Sequence, residues 1–172
     1  MKIQILSLIV AGLFFFTSCQ TEEIDPVFEI YVTTKASENW TNTDFDVAYV
    51  RVANLTDSGE QGWAGITPFT TSSYNLDLSQ ENTVMVHNDR HFDLEMLGLK
   101  LDLWNVNLAN QDFVTGKVTV PYFKYGELDE SISIKNGKTY RIDFTIDFDE
   151  QIYEENGTYF LDPNYEIEVI EL

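Results

Sequence analysis

From Tyr140 to Asp149 the chain reads Tyr-Arg-Ile-Asp-Phe-Thr-Ile-Asp-Phe-Asp, and its apolar residues Tyr140, Ile142, Phe144, Ile146 and Phe148 all share one parity. Side chains along a strand alternate between faces. This stretch therefore predicts a β-strand with one face on a core and one in water, the habit of an antiparallel sheet. Asn136-Gly137 stands just before it, a dipeptide that favours a hairpin turn. The same period of two recurs from Phe28 onward, with turn residues between the runs. Phe28–Thr34 predicts a first strand and Phe45–Leu55 a second, in which Val47 and Tyr49 face one way and Val50 and Val52 the other. Trp63–Thr67, Tyr74–Leu78, Lys117–Pro121, Ser131–Lys135, Thr158–Leu161 and Tyr165–Val169 predict further short strands.

Only Phe92–Trp104 raises the question of a helix. Phe92, Leu94 and Met96 alternate, and Leu99, Leu101 and Leu103 then alternate on the opposite parity, with Leu97-Gly98 between. One inserted residue turns every later side chain to the other face, so the pattern predicts one long strand with a bulge at the glycine. No helix cap is evident. Many short strands in one domain fold as a sandwich or a barrel. With polar outer faces and no sign of a lumen, the expected fold is all-β, a two-sheet antiparallel β-sandwich.

The N-terminus is of another kind. Lys2 precedes an apolar run from Ile3 to Phe16, too short for the roughly 20 residues that span a bilayer, which is the layout of a secretory signal peptide. Removing residues 1–18 leaves about 154, one domain's worth of chain. Only Lys2 of the ten basic residues is lost with them, so nine face 29 acidic residues, a net charge of −20. Nucleic acid draws its affinity from phosphates neutralised by Lys and Arg, and the basic residues here are scattered singly, so no nucleic-acid partner is expected. The single cysteine, Cys19, leaves no disulfide, thiolate metal site or redox pair.

Thr17-Ser18-Cys19 resembles the lipobox of bacterial lipoproteins, in which the cysteine takes a diacylglycerol and becomes the first residue of the mature chain. The resemblance implies lipidation of Cys19 and a membrane held through it. Gln20 to Pro26 is polar and acidic, so residues 19–27 are expected to be a tether and 28–172 the sandwich. Glu22, Glu23 and Asp25 resemble the export signals of some surface-displayed Bacteroidota lipoproteins; the periplasmic face is the alternative location. Trp63, Tyr74-Asn75-Leu76-Asp77-Leu78, Leu99-Lys100-Leu101, Val120-Pro121, Asn136-Gly137-Lys138-Thr139-Tyr140, Asp147-Phe148-Asp149 and Gly157-Thr158-Tyr159-Phe160-Leu161-Asp162-Pro163 together resemble a family of bacterial lipoprotein domains of unknown function. That resemblance implies a sandwich of the transthyretin or immunoglobulin kind, similar to carbohydrate-binding or adhesive modules, with no known catalytic residues. The chain departs from the family at Thr33-Thr34-Lys35-Ala36-Ser37 and at Asp162-Pro163-Asn164.

Three groups of residues carry chemistry that the strand pattern does not absorb. Trp40, before the second strand, and Tyr122, Phe123 and Tyr125, after Pro121, fall in loops, where an aromatic face beside amides and carboxylates can stack on a sugar ring; packing on the sandwich rim is the competing reading. Asp147, Asp149 and Glu150, with Asp143 on the same polar face, offer oxygen ligands for Ca²⁺, against a simple solvated face that protects a sheet edge. His87 and His91 flank Asn88-Asp89-Arg90 in what reads as a polar loop, spaced as a metal pair would be on a helix, but without a helical pattern. Neither histidine sits in a nucleophile motif, so no enzyme and no cofactor beyond a possible Ca²⁺ is expected. The expected function is a lipid-anchored surface protein whose sandwich binds a glycan or a surface protein. A structural or accessory subunit that pairs strand edges with a partner is the alternative.

Overall fold

A computed structural model describes residues 24–55, 61–66, 72–91, 94–112, 115–120, 126–162 and 165–172. Cys19, Tyr122, Phe123 and Tyr125 lie outside the described residues. The elements in order are β1 (Val27–Thr34), β2 (Asn42–Leu55), β3 (Gln61–Gly65), β4 (Ser72–Asp77), β5 (Asn82–Arg90), β6 (Leu94–Ala109), β7 (Thr115–Thr119), β8 (Gly126–Ile134), β9 (Thr139–Ile146), the single helical turn α1 (Phe148–Gln151), β10 (Ile152–Glu155), β11 (Thr158–Leu161) and β12 (Glu166–Glu171). One sheet runs β12-β9-β1-β5; the other runs β10-β11-β7-β6-β2-β3, with β4 on β2 and β8 on β6. Neither closes on itself, and the fold is an all-β, sandwich-like pair of sheets.

The sheets are mixed rather than purely antiparallel. β1 runs parallel to β9 over its whole length, Val27 beside Thr139 through Thr34 beside Ile146, and β11 runs parallel to β7. Parallel neighbours need long connections, and here more than a hundred residues separate β1 from β9. A signal so distant in the chain has no trace in local alternation.

β9 is built as its pattern predicts. Tyr140, Ile142, Phe144 and Ile146 are buried, and Phe148 continues the burial beyond the strand. Its preceding turn behaves differently from the expected hairpin. Gly137 has φ +74° while Asn136 stays at negative φ, so the turn is not the type I′ that matches the twist of paired strands. It hands the chain from β8 in one sheet to β9 in the other. The true two-residue hairpin is Asn156-Gly157, with φ +52° and +77°, joining β10 to β11.

The long strands β2 and β6 form the spine of the larger sheet, and three irregularities keep their apolar residues on one side. β6 shifts register against β8 between Met96 and Gly98, which lets Met96 and Leu99 both be buried. β2 carries a bulge at Ala48, so that Val47, Val50 and Val52 pair with Leu103, Leu101 and Leu99. This corrects the expected facing of Val47, which joins Val50 and Val52 while Tyr49 pairs with Asp102; the opposite face is partly covered too, as Ala53 and Asp102 are buried. A third shift at Asn105, held at φ +50°, moves Val106 and Leu108 back into the core.

Two further corrections bear on function. The segment expected as a loop around His87 is β5, an edge strand antiparallel to β1. The expected tether also overlaps the domain at its end. The Ile24 carbonyl accepts from the Gly137 N–H at 2.5 Å and the Pro26 carbonyl from the His91 N–H at 2.8 Å, and Val27 already belongs to β1.

Candidate functional site

After Ile146 the chain leaves the sheet and makes one helical turn. The Asp147 side chain caps it, accepting from the N–H groups of Asp149 at 3.2 Å and Glu150 at 3.3 Å. Gln151 answers through its side-chain oxygen, which accepts from the Asp147 N–H at 2.8 Å. The exchange satisfies donors that a helix start would leave bare. The turn aims Asp149 at the loop after β1. There its Oδ1 accepts from Ser37 Oγ at 2.6 Å and Asn39 Nδ2 at 3.0 Å, and its Oδ2 from the Glu38 N–H at 2.7 Å. Ser37 Oγ in turn accepts from the N–H of Trp40 at 2.8 Å. One carboxylate thus folds the whole Ser37–Trp40 loop.

This arrangement places the residues of the expected calcium set differently from the strand face read in the sequence. Asp147 caps a helical turn on which Asp149 and Glu150 lie, not the polar face of a strand, and the Asp147 and Asp149 carboxylates already accept from neighbouring donors. Asp147 serves the cap and lies 3.4 Å from Lys35 Nζ. Asp143, on β9, is gripped by both arms of Arg141 at 2.6 and 2.9 Å. Among the described residues no three His, Cys, Asp or Glu side chains converge to hold a metal ion.

Burial alone would raise the Asp149 pKa, but the hydrogen bonds from Ser37, Glu38 and Asn39 outweigh it and hold the carboxyl below its ordinary value. A depressed folded-state pKa gives stability that is present above the unfolded value and lost as pH falls through the folded one. Asp149→Ala is therefore expected to cost about 2 kcal/mol at pH 7, in line with charge-assisted hydrogen bonds. The difference from the wild type should shrink below about pH 4. Urea melts at pH 7 and pH 3 measure both; an equal deficit at the two pH values would contradict this role.

The loop built by Asp149 carries Trp40 to the mouth of a cleft of about 380 Å³. Trp40 and Tyr159 meet edge to face, ring centres 5.6 Å apart at 89°. Asn39, Asn110, Asp149 and Glu154 supply polar groups around them, with Phe148 and Ile152 completing the lining. The Tyr159 ring lies close against Gly116 of the neighbouring β7, where a Cβ would stand 3.2 Å from it. The size lies within the range of small-ligand sites, about 300–1,000 Å³. Rings plus amides and carboxylates can stack on C–H faces and bind hydroxyls.

The structure brings Trp40 and Asp149 together, two residues that sequence reasoning assigned to different sites. Tyr159 and Asn110 were not singled out as site residues: Tyr159 becomes a wall when β11 is laid beside β7, and Asn110 follows the end of β6. Trp63 and Trp104 are the more exposed tryptophans, at 38% and 43%. Trp104 pairs with Asp46 on β2, next to Asn105, whose Nδ2 donates to Asp46 at 2.6 Å.

No family model matches the chain, and no curated protein matches it. Among solved structures it is similar to a crystal structure from Bacteroides ovatus ATCC 8483, described as a "putative cell adhesion protein", with 13% identity and a TM-score of 0.29. The likeness covers 84% of this chain and 44% of that one, so the chain spans less than half the length of that protein.

Proposed function

We propose that the chain is a lipid-anchored cell-surface protein of the Bacteroidota lipoprotein kind, whose non-catalytic sandwich binds a glycan in the cleft between Trp40 and Tyr159. The observation that carries this reading is the cleft itself, where two rings at right angles stand among two asparagines and two carboxylates. The rings would stack on the apolar face of a sugar and the polar groups would take its hydroxyls. The acidic lining favours neutral or basic sugars over anionic ones. Attachment rests on the lipobox-like Thr17-Ser18-Cys19 and display on Glu22, Glu23 and Asp25.

Tryptophan fluorescence against a panel of neutral glycans tests the binding step. The chain has three tryptophans, so Trp40→Phe and Trp104→Phe separate the cleft from the open sheet face. The expected result is a saturable change that survives Trp104→Phe and is lost in Trp40→Phe. Silence across the panel removes the glycan reading and turns the search to protein partners. Protease shaving of intact cells tests display. Loss of the domain with an acylated Cys19 peptide left behind supports the outer face, and survival until the outer membrane is broken supports the periplasmic one.

A further inference from the structure

The chain has two histidines, and the fold brings them together at the opposite end of β1 from the Trp40 cleft. His87 lies on β5 opposite Ile30. The chain then ends the strand, and the backbone bond from His91 to Pro26 turns the second imidazole over the core, where it stacks on Phe28 with ring centres 5.0 Å apart at 22°. The two Nε2 atoms face each other at 3.2 Å. Both rings are half-buried, so each position is set by packing while one side stays open to solvent.

As free imidazoles the pair shares one proton, one ring donating and the other accepting. The same spacing suits a metal ion. Two nitrogens 3.2 Å apart, each about 2.05 Å from one ion, subtend an angle of about 103°, close to tetrahedral. Their ring centres are 5.4 Å apart with planes inclined at 44°, nearly head-on, so an ion seated beside the Nε2–Nε2 line asks each ring to turn by roughly 40° and both to take the Nδ1–H tautomer. Burial lowers both imidazole pKa values, and His87 lowers that of His91 further. At neutral pH both rings are therefore uncharged, and the proton shared between the two Nε2 atoms must move to Nδ1 of its ring before both can ligate. The Asp89 carboxylate acts on both rings in the opposite sense, favouring positive charge between them.

We propose that His87 and His91 form a two-imidazole site for a late first-row divalent cation of the Cu²⁺, Ni²⁺ or Zn²⁺ class, with its other positions left to exchangeable ligands. Imidazole nitrogen selects these ions over Ca²⁺ and Mg²⁺, and the intrinsic order places Cu²⁺ first. No third His, Cys, Asp or Glu joins the pair among the described residues, so the proposed site counts two protein ligands there.

The test uses the purified protein without a polyhistidine tag, titrated with Zn²⁺ and with Cu²⁺ in millimolar Ca²⁺ to saturate weak carboxylate binding. One equivalent should bind. His87→Asn and His91→Asn should each weaken uptake at least about tenfold, since affinity follows the ligand set. Because the chain has two histidines, their ring resonances in the unmodified protein give a second readout that needs no variant to fold. Zn²⁺ should shift both together, and substoichiometric Cu²⁺ should broaden both before other signals. Undiminished uptake in the double variant, displacement of the ion by Ca²⁺, or ring resonances unmoved at saturating Zn²⁺ would each overturn the proposal.

Discussion

Phe144→Ala is expected to lower the free energy of unfolding by about 3–5 kcal/mol, the usual cost of truncating a buried aromatic ring. Phe144 is fully buried on β9, the strand flanked by β1 on one side and β12 on the other. It lies beside Val32 in the parallel ladder and Ile167 in the antiparallel one, and its ring meets that of Tyr165 edge-on at 6.4 Å. Neighbours held in two ladders cannot collapse far into the space left behind. Set against a total of about 5–15 kcal/mol, the loss would take a large share of the stability. Urea titration measures it as a lower midpoint at unchanged slope. Thr145→Ala, on the opposite face of the same strand, should stay within about 0.5 kcal/mol. A loss below about 1 kcal/mol at Phe144 would mean that β9 does not hold the core.

The second large effect is expected at Asp102, a carboxylate 7% exposed on β6. Lys100 Nζ stands 3.0 Å from its Oδ1 and Arg51 Nε 2.8 Å from its Oδ2. The arginine contact is out of line for a hydrogen bond, so its hold on the carboxylate is electrostatic, and the guanidinium also lies 5.1 Å from the Tyr49 ring centre. Lys100 is itself only 12% exposed. Asp102→Ala removes a negative charge held between two poorly hydrated positive ones and should cost about 3–5 kcal/mol, as breaking a buried pair does. The Asp102→Leu, Lys100→Met double variant should recover most of that loss, because apolar groups of similar size replace a buried pair at little net cost. A neutral Asp102→Ala would show that solvent reaches the carboxylate.

Legibility in the sequence followed the range over which each feature is decided. The face of β9 and the change of parity beside Gly98 could be read because both depend on parity within a few residues. β5 could not. It is an edge strand, its second half Asn88-Asp89-Arg90 is exposed on both sides, and water leaves no alternation to see. The two Asn-Gly turns look alike in sequence and differ in the φ of the asparagine, which reflects where the following strand is bound. At the site, Trp40 stood out as an aromatic in a polar loop. Asp149 stood out too, for its charge, which suggested a cation; the partners that the structure shows are backbone and side-chain donors of the neighbouring loop. Tyr159 had no mark as a site residue, since its place in the cleft depends on the parallel pairing of β11 with β7.

The parallel strand β1 has a mechanical consequence. It enters the sandwich where the N-terminal segment arrives and leaves it directly into the Ser37–Trp40 loop, covering roughly 26 Å at the rise of a strand. Both of its edges are bonded along their whole length, to β5 and to β9. Tension between the N-terminal end and an object held in the cleft would run along the axis of this strand, across hydrogen bonds that lie perpendicular to the pull or slanted to it. Such a load must shear both ladders at once instead of peeling them one bond at a time.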